Sequence, residues 1–262
     1  MLRVVETYFI SFLVYSFFGW VWESVFCSLW KHKRLINRGF LNGPYCPIYG
    51  WGAILDLLML GRIDNIFSLF FISGVLTCVL EYFTSVIMEK MFATRWWDYS
   101  DMKFNIQGRV CLLGFIAFGL FSIVLIEYID PFVVSHINRL SPMAMNIIAA
   151  AAAVLFMADN IITFTGFSGF DGRLKEFSDS LEEQKEKITA VIQSKLPDIS
   201  KEDIRSRLPE ISGDRIREQI SKAFNWQQKR ILRAFPTLRS IKYDGALKLL
   251  RSSVLKNHQH KK

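Results

Sequence analysis

The sequence predicts an all-α, polytopic membrane helix bundle of about five transmembrane helices, followed by a charged, helical cytoplasmic C-terminal tail. Three observations predict it. The 262-residue chain is 51% hydrophobic and 15% aromatic, with 23 Phe and 7 Trp, and its mean hydropathy is +0.23 despite a highly charged C-terminal third. Five apolar stretches reach or approach the roughly 20 residues that cross a hydrocarbon core of about 30 Å. Lys and Arg fall in alternate connecting segments, as the retention of cationic loops on the cytoplasmic side requires.

The first stretch, residues 8–30, is longer than a signal-peptide core, carries Glu23 and is followed by no small-residue cleavage site, so it is expected to remain as a helix. The second, residues 45–60, follows Pro44, contains Pro47, Gly50 and Gly52, and would be only about 24 Å long as a helix. It reads as a short tilted span or a re-entrant element. The remaining stretches are 66–88, 110–128 and 143–167.

Charge separates the two readings of the second stretch. With five spans, Lys31, Lys33, Arg34 and Arg38, then Lys90, Arg95, Lys103 and Arg109, then 21 cations of the tail share one side, against Arg3, Arg62 and Arg139 on the other. A re-entrant second stretch would move the 90–109 loop and its four cations outside. Five full spans are therefore expected, with the N-terminus outside and the tail cytoplasmic. The expected domains are the bundle at 1–168, a mixed-charge helical stalk or linker at 169–221, and a basic amphipathic tail at 222–262.

That topology puts Glu23, Glu81 and Asp159 at one depth, on the order of 10 Å inside the cytoplasmic boundary. Ionisable groups at such depth face the bundle interior and mark pathways or sites. Like charges in one low-dielectric pocket need protons or cations, and Arg38, Arg95 and Arg109 stand in the two loops that flank these helix ends. These six residues are the candidate substrate-binding set, with snorkelling or structural ion pairing as the alternative. Asp56 and Glu127 read as interfacial. Cys27, Cys46, Cys78 and Cys111 show no CxxC spacing, so no disulfide framework is signalled and no metal or cofactor is expected.

Both cytoplasmic loops are unusual. The first, from Asn37 to Ala53, sets Gly39, Asn42, Gly43, Pro44, Pro47, Tyr49 and Gly50 among aromatics; its backbone cannot pair within a helix and must line protein or a watery cavity. The second places Trp96, Trp97, Asp98 and Asn105 beside Arg95 and Arg109, a mixture suited to the headgroup layer or to a lipid phosphate. In the tail, runs such as Glu182-Glu183-Gln184-Lys185-Glu186-Lys187 read as a solvated helix. From Lys222 onward 11 Lys and Arg face one acid, Asp244, interleaved with Ile231, Leu232, Phe235, Leu238, Ile241, Leu247, Leu250 and Leu255. Beside an inner leaflet such a segment is expected to lie on anionic lipid, with a protein partner and then nucleic acid as the alternatives.

The run RGFLNGPYCPIYGWGA, the Glu-Tyr-x-Thr-Ser run at Glu81 to Ser85 and the stretch EKMFATRWWDYSDMKFNIQGR from Glu89 to Arg109 resemble the CmpB-like ABC-transporter type IV permeases, small bacterial membrane proteins. The likeness covers about residues 10–165. It implies a multi-pass protein of the bacterial cell membrane acting as a permease component, with a homo-oligomer or a separate ATPase subunit as partner, and it brings no catalytic residues. The chain has no Walker A segment with which to hydrolyse ATP itself. The alternatives are a non-catalytic membrane scaffold or accessory subunit and an intramembrane lipid-modifying enzyme. Against the last, no His lies in the spans and no nucleophile motif is present.

Overall fold

The computed structural model describes residues 2–29, 33, 35–195, 220 and 222–259. Lys31 and Arg34 of the first loop, most of the expected stalk beyond 195, and the last three residues of the expected tail lie outside the described residues. The chain divides into two compact units, one of Met1–Met91 with Trp96–Thr165 and one of Phe92–Arg95 with Gly166–Lys262.

The first unit is a bundle of apolar helices. Helix α1, Leu2–Val21, continues through a π-helical turn at Trp22–Cys27; α2 is Pro47–Leu60 and α3 is Ile66–Phe92. Helix α4, Leu112–Val124, passes through a π-helical turn at Leu125–Ile129 into α5, Asp130–Ile137, and α6 is Pro142–Phe167. Among the described residues four helices are long and apolar enough to cross a membrane: the α1 run to Cys27, α3, the α4–α5 run, and the helix that starts at Pro142. The α4–α5 run passes the expected end near 128 because Glu127, Asp130 and Pro131 do not stop it. Pro131 lacks the N–H that an α-turn would use, and the π turn before it absorbs the mismatch.

The polarity of this unit is reversed relative to a protein in water. Ser11, Ser16, Ser24, Ser73, Ser122 and Thr163 are buried, while Phe67 is 78% and Leu155 69% exposed. Outward apolar side chains and an inward polar set are what a hydrocarbon solvent selects, so the unit is a helical membrane bundle. Phe12, Tyr15, Ala53, Ile54, Leu125, Val133, Ile137 and Met145 form an apolar cluster within it. Helices α1 and α2 approach closely: a Cβ on Gly50 would lie 2.6 Å from the Phe12 carbonyl oxygen, and one on Gly19 2.3 Å from the Tyr49 ring.

The expected short helix is present as α2, and the structure adds an extended segment before it. Residues 35–46 contain no helix and run back along α1. Ser28 Oγ donates to the Ile36 carbonyl, Ser24 Oγ accepts from Arg38 N–H, and Trp20 Nε1 donates to Asn37 Oδ1. Cys46 N–H then reaches the Ser16 carbonyl at 2.8 Å. From Ser28 to Ser16 is 12 residues, or about 18 Å of helix axis. Helix α2 therefore begins level with the middle of α1 and is only about 21 Å long. Residues 35–60 are thus about half extended chain and half helix. Pro44 lacks the N–H that helical bonding would need, whereas Pro47 stands in the first turn of α2, where a missing N–H costs nothing.

The second unit is also helical. Gly169, at φ +70°, ends α6 in the left-handed conformation. Helix α7, Phe170–Lys195, packs with α9, Asp244–Gln259, and α8, Trp226–Ala234, lies beside α9. A two-stranded antiparallel ladder pairs β1, Thr94–Arg95, with β2, Arg239–Ser240. Phe170, Leu174, Phe177, Phe224, Ile231, Leu232, Leu238, Leu247 and Leu250 are buried. Most apolar residues expected to face lipid from a free tail thus form a core, though Ile241 and Leu255 remain exposed. A capping box starts α8: Asn225 Oδ1 accepts from Gln228 N–H at 2.9 Å, Gln228 Oε1 accepts from Asn225 N–H, and Asn225 Nδ2 donates to the Gly166 carbonyl at 2.7 Å.

Candidate functional site

The three acids do not share one set of partners. Asp159, on α6, is enclosed by the extended segment. Its Oδ1 accepts from Asn42 N–H at 3.0 Å, Asn42 Nδ2 at 2.8 Å and Thr163 Oγ1 at 3.1 Å. Its Oδ2 accepts from Gly43 N–H at 2.7 Å and Tyr45 Oη at 2.6 Å. Five donors satisfy the carboxylate without a cation, and in return it receives two backbone N–H groups of a segment that has no ladder of its own. Asn37 completes the turn: its Oδ1 accepts from Gly39 N–H and its Nδ2 donates to the Asn42 carbonyl.

Glu23 and Glu81 form a second constellation. Glu23, on the π-helical turn of α1, accepts from Tyr49 Oη at 2.8 Å and faces Arg38 Nε at 3.5 Å. Glu81, on α3, is 6% exposed and accepts from Tyr99 Oη at 3.2 Å through Oε1. Its Oε2 is buried and has no hydrogen-bond partner. The two carboxylates interact electrostatically, as do the two tyrosines. Tyr99, in the loop after α3, has its hydroxyl pKa pushed above the ordinary tyrosine range, first by burial and then by the charges of Glu81 and Glu23. Gly114, in the first turn of α4, stands beside the unpartnered oxygen. A Cβ there would sit 3.9 Å from Glu81 Oε2 and 3.8 Å from Cys111 Sγ, ordinary contact distances that leave room for a methyl group.

Of the candidate cations, Arg38 reaches Glu23. Arg109 instead pairs with Glu89 at 2.9 Å, donates to Ser85 Oγ at 2.8 Å and lies 5.7 Å above the Tyr82 ring. Arg95 belongs to the second unit, on β1 opposite Arg239. The aromatic loop residues pack within protein: Trp96 is 2% exposed and meets Phe40 edge-on at 5.2 Å, and Trp97 Nε1 donates to the Arg109 carbonyl at 3.0 Å. Asp98 Oδ1 accepts from Ser100 N–H, Asn105 Oδ1 accepts from Gly108 N–H, and Tyr99 N–H closes onto the Gly108 carbonyl at 2.8 Å. These contacts fold the loop so that Tyr99 reaches Glu81. Asp56, expected near an interface, is 1% exposed and accepts from Ser122 Oγ at 2.5 Å.

Tyr45, Tyr99 and Gly114 are the members that sequence reasoning missed. Tyr45 lies within the unusual first loop, next to Pro44, but nothing local to Tyr99 foretells its return to α3. Among the described residues no group of three or more His, Cys, Asp or Glu is arranged to hold a metal ion.

The model of a family described as "putative ABC-transporter type IV" matches residues 10–164. The chain belongs to that family. No curated protein and no solved structure matches it. The ABC-transporter type IV match takes in every member of both constellations and stops at the end of the first unit, so residues from Gly166 onward lie beyond it.

Proposed function

We propose that the protein is the membrane-embedded, permease-type component of a transporter in a bacterial plasma membrane, with a polar site in the cytoplasmic half of the bundle for a small solute or a lipid headgroup. The observation that carries this reading is Glu81, a buried carboxylate on an apolar helix with one oxygen bonded to Tyr99 and the other unpartnered. A purely structural acid at this depth is costly unless it is closed by a partner, as Asp159 is closed by five donors. Membership of the ABC-transporter type IV family and the half-extended second crossing support the reading, since broken crossings place irregular backbone against protein or a cavity.

A separate ATPase subunit is the partner this role requires, because the chain has no Walker A segment; a second copy of the chain is the other. The charge bias supports an outside N-terminus and a cytoplasmic second unit, whose exposed cations would then face anionic lipid. The test is native mass spectrometry of the protein extracted gently from its own membrane, wild type beside Glu81→Gln. A small molecule or lipid retained by the wild type and lost from the variant is expected. The folded core of the second unit favours one alternative, an accessory subunit that docks a cytoplasmic protein; a copurifying protein unaffected by the substitution, with no bound small molecule, would establish that alternative.

A further inference from the structure

Resting on the polar-site reading above, we infer that the Glu23–Glu81 constellation binds a primary ammonium group. Charge and hydrogen-bond capacity select that chemistry. Arg38 compensates Glu23 at 3.5 Å, and Arg109 is engaged with Glu89 and Ser85. When Glu81 is ionised, its charge has no cationic partner among the described residues in a buried setting. A singly positive ligand closes it; a dication would overshoot it and an anion would add to it.

The donors of the ligand are set by what the site leaves open. Tyr49 and Tyr99 each spend their hydroxyl proton on a carboxylate, on Glu23 and Glu81 respectively, so each phenolic oxygen is left as an acceptor. With Glu81 Oε2 they offer up to three acceptors, as many as a primary ammonium has N–H donors. A quaternary ammonium has no N–H to give them. A metal ion has too little to hold it, because no cluster of three or more ligating side chains occurs among the described residues. Gly114, whose missing side chain leaves methyl-sized room beside Glu81 Oε2, is the wall that a larger residue would close. The ammonium could come from a free amine solute or from a phosphatidylethanolamine headgroup, which share it.

The experiment is thermal unfolding of the full chain in phosphatidylcholine nanodiscs, titrated at constant ionic strength with ethanolamine, choline, potassium chloride and acetate, and repeated in nanodiscs containing phosphatidylethanolamine. Saturable stabilisation by ethanolamine or by phosphatidylethanolamine, and by neither choline nor potassium, is expected in the wild type. The first result assigns the soluble amine and the second the headgroup. Glu81→Gln abolishes the shift. Gly114→Ala weakens it at least tenfold while leaving the ligand-free unfolding temperature at or above that of wild type, since alanine favours the helix. Equal stabilisation by potassium, choline or acetate, or an ethanolamine shift that survives in both variants, overturns the assignment. A neutral or anionic molecule held by wild type and lost from Glu81→Gln in the copurification would sink the ammonium and leave the polar site standing; no ligand in either experiment would sink both.

Discussion

Replacing Asp159 by Ala tests whether that carboxylate is a structural tie. Its removal strips the acceptor from Asn42 N–H, Gly43 N–H and Tyr45 Oη, whereas Asn42 Nδ2 retains Thr163 Oγ1 at 2.9 Å. An orphaned buried donor costs about 1–3 kcal/mol. Because Asp159 is only half-buried, the lower part of that range applies, and three donors give about 3–6 kcal/mol. For a bundle of this size the loss is on the order of 10 °C in unfolding temperature. Asp159→Asn keeps one acceptor oxygen and should lose roughly half as much. The assay is thermal unfolding in detergent with tryptophan emission recorded alongside, because Trp20 bonds to Asn37 in the same turn and should redden as the segment loosens. An unfolding temperature for Asp159→Ala within about 2 °C of wild type, with unchanged emission, would refute the reasoning and return Asp159 to the pool of ligand-binding acids.

Four further outcomes are expected. Gly50→Leu should destabilise the bundle by about 3 kcal/mol or more, because even a Cβ there meets the Phe12 backbone at 2.6 Å; denaturant unfolding reads it. Arg109→Ala should cost about 2–4 kcal/mol by leaving Glu89 and Ser85 without the guanidinium, and Arg109→Lys should recover less than half in the same assay, since a point charge cannot serve both at once. The raised Tyr99 hydroxyl stays protonated where ordinary tyrosines ionise near about pH 10, so alkaline absorbance titration of Tyr99→Phe should show as many tyrosines ionising in that range as wild type. Asn225→Ala should cost about 1–2 kcal/mol in the second unit, seen as faster amide exchange in α8 with α3 unchanged.

The long apolar helices were legible because hydropathy and length report membrane crossing directly. The common depth expected for Glu23, Glu81 and Asp159 rests on helical rise alone. Depth does not report direction around a bundle, however, and only partners can separate Asp159, bonded to Asn42, Gly43 and Tyr45, from Glu81, bonded to Tyr99. The run of proline and glycine before Trp51 announced irregular backbone, but which side chains would receive its N–H groups depends on Ser16, Ser24 and Asp159, residues far apart in the chain. The extension through Pro131 was hidden because charge and proline there resemble a terminus, and only the π turn reveals why the helix continues. In the last third, alternating cations and leucines fit a lipid-lying helix as well as a folded core; the core forms because α7 offers Phe170, Leu174 and Phe177 as a facing surface.

The extended segment before α2 also bears on the order of events during biogenesis. Helix α2 is 14 residues long, too short to settle across a bilayer unaided, and the segment before it has polar backbone that lipid will not accept. Two of its N–H groups are received by Asp159, which leaves the ribosome more than a hundred residues later. On the five-span reading this segment is therefore completed only when α6 arrives with the carboxylate that receives its N–H groups, long after α1 has entered the bilayer.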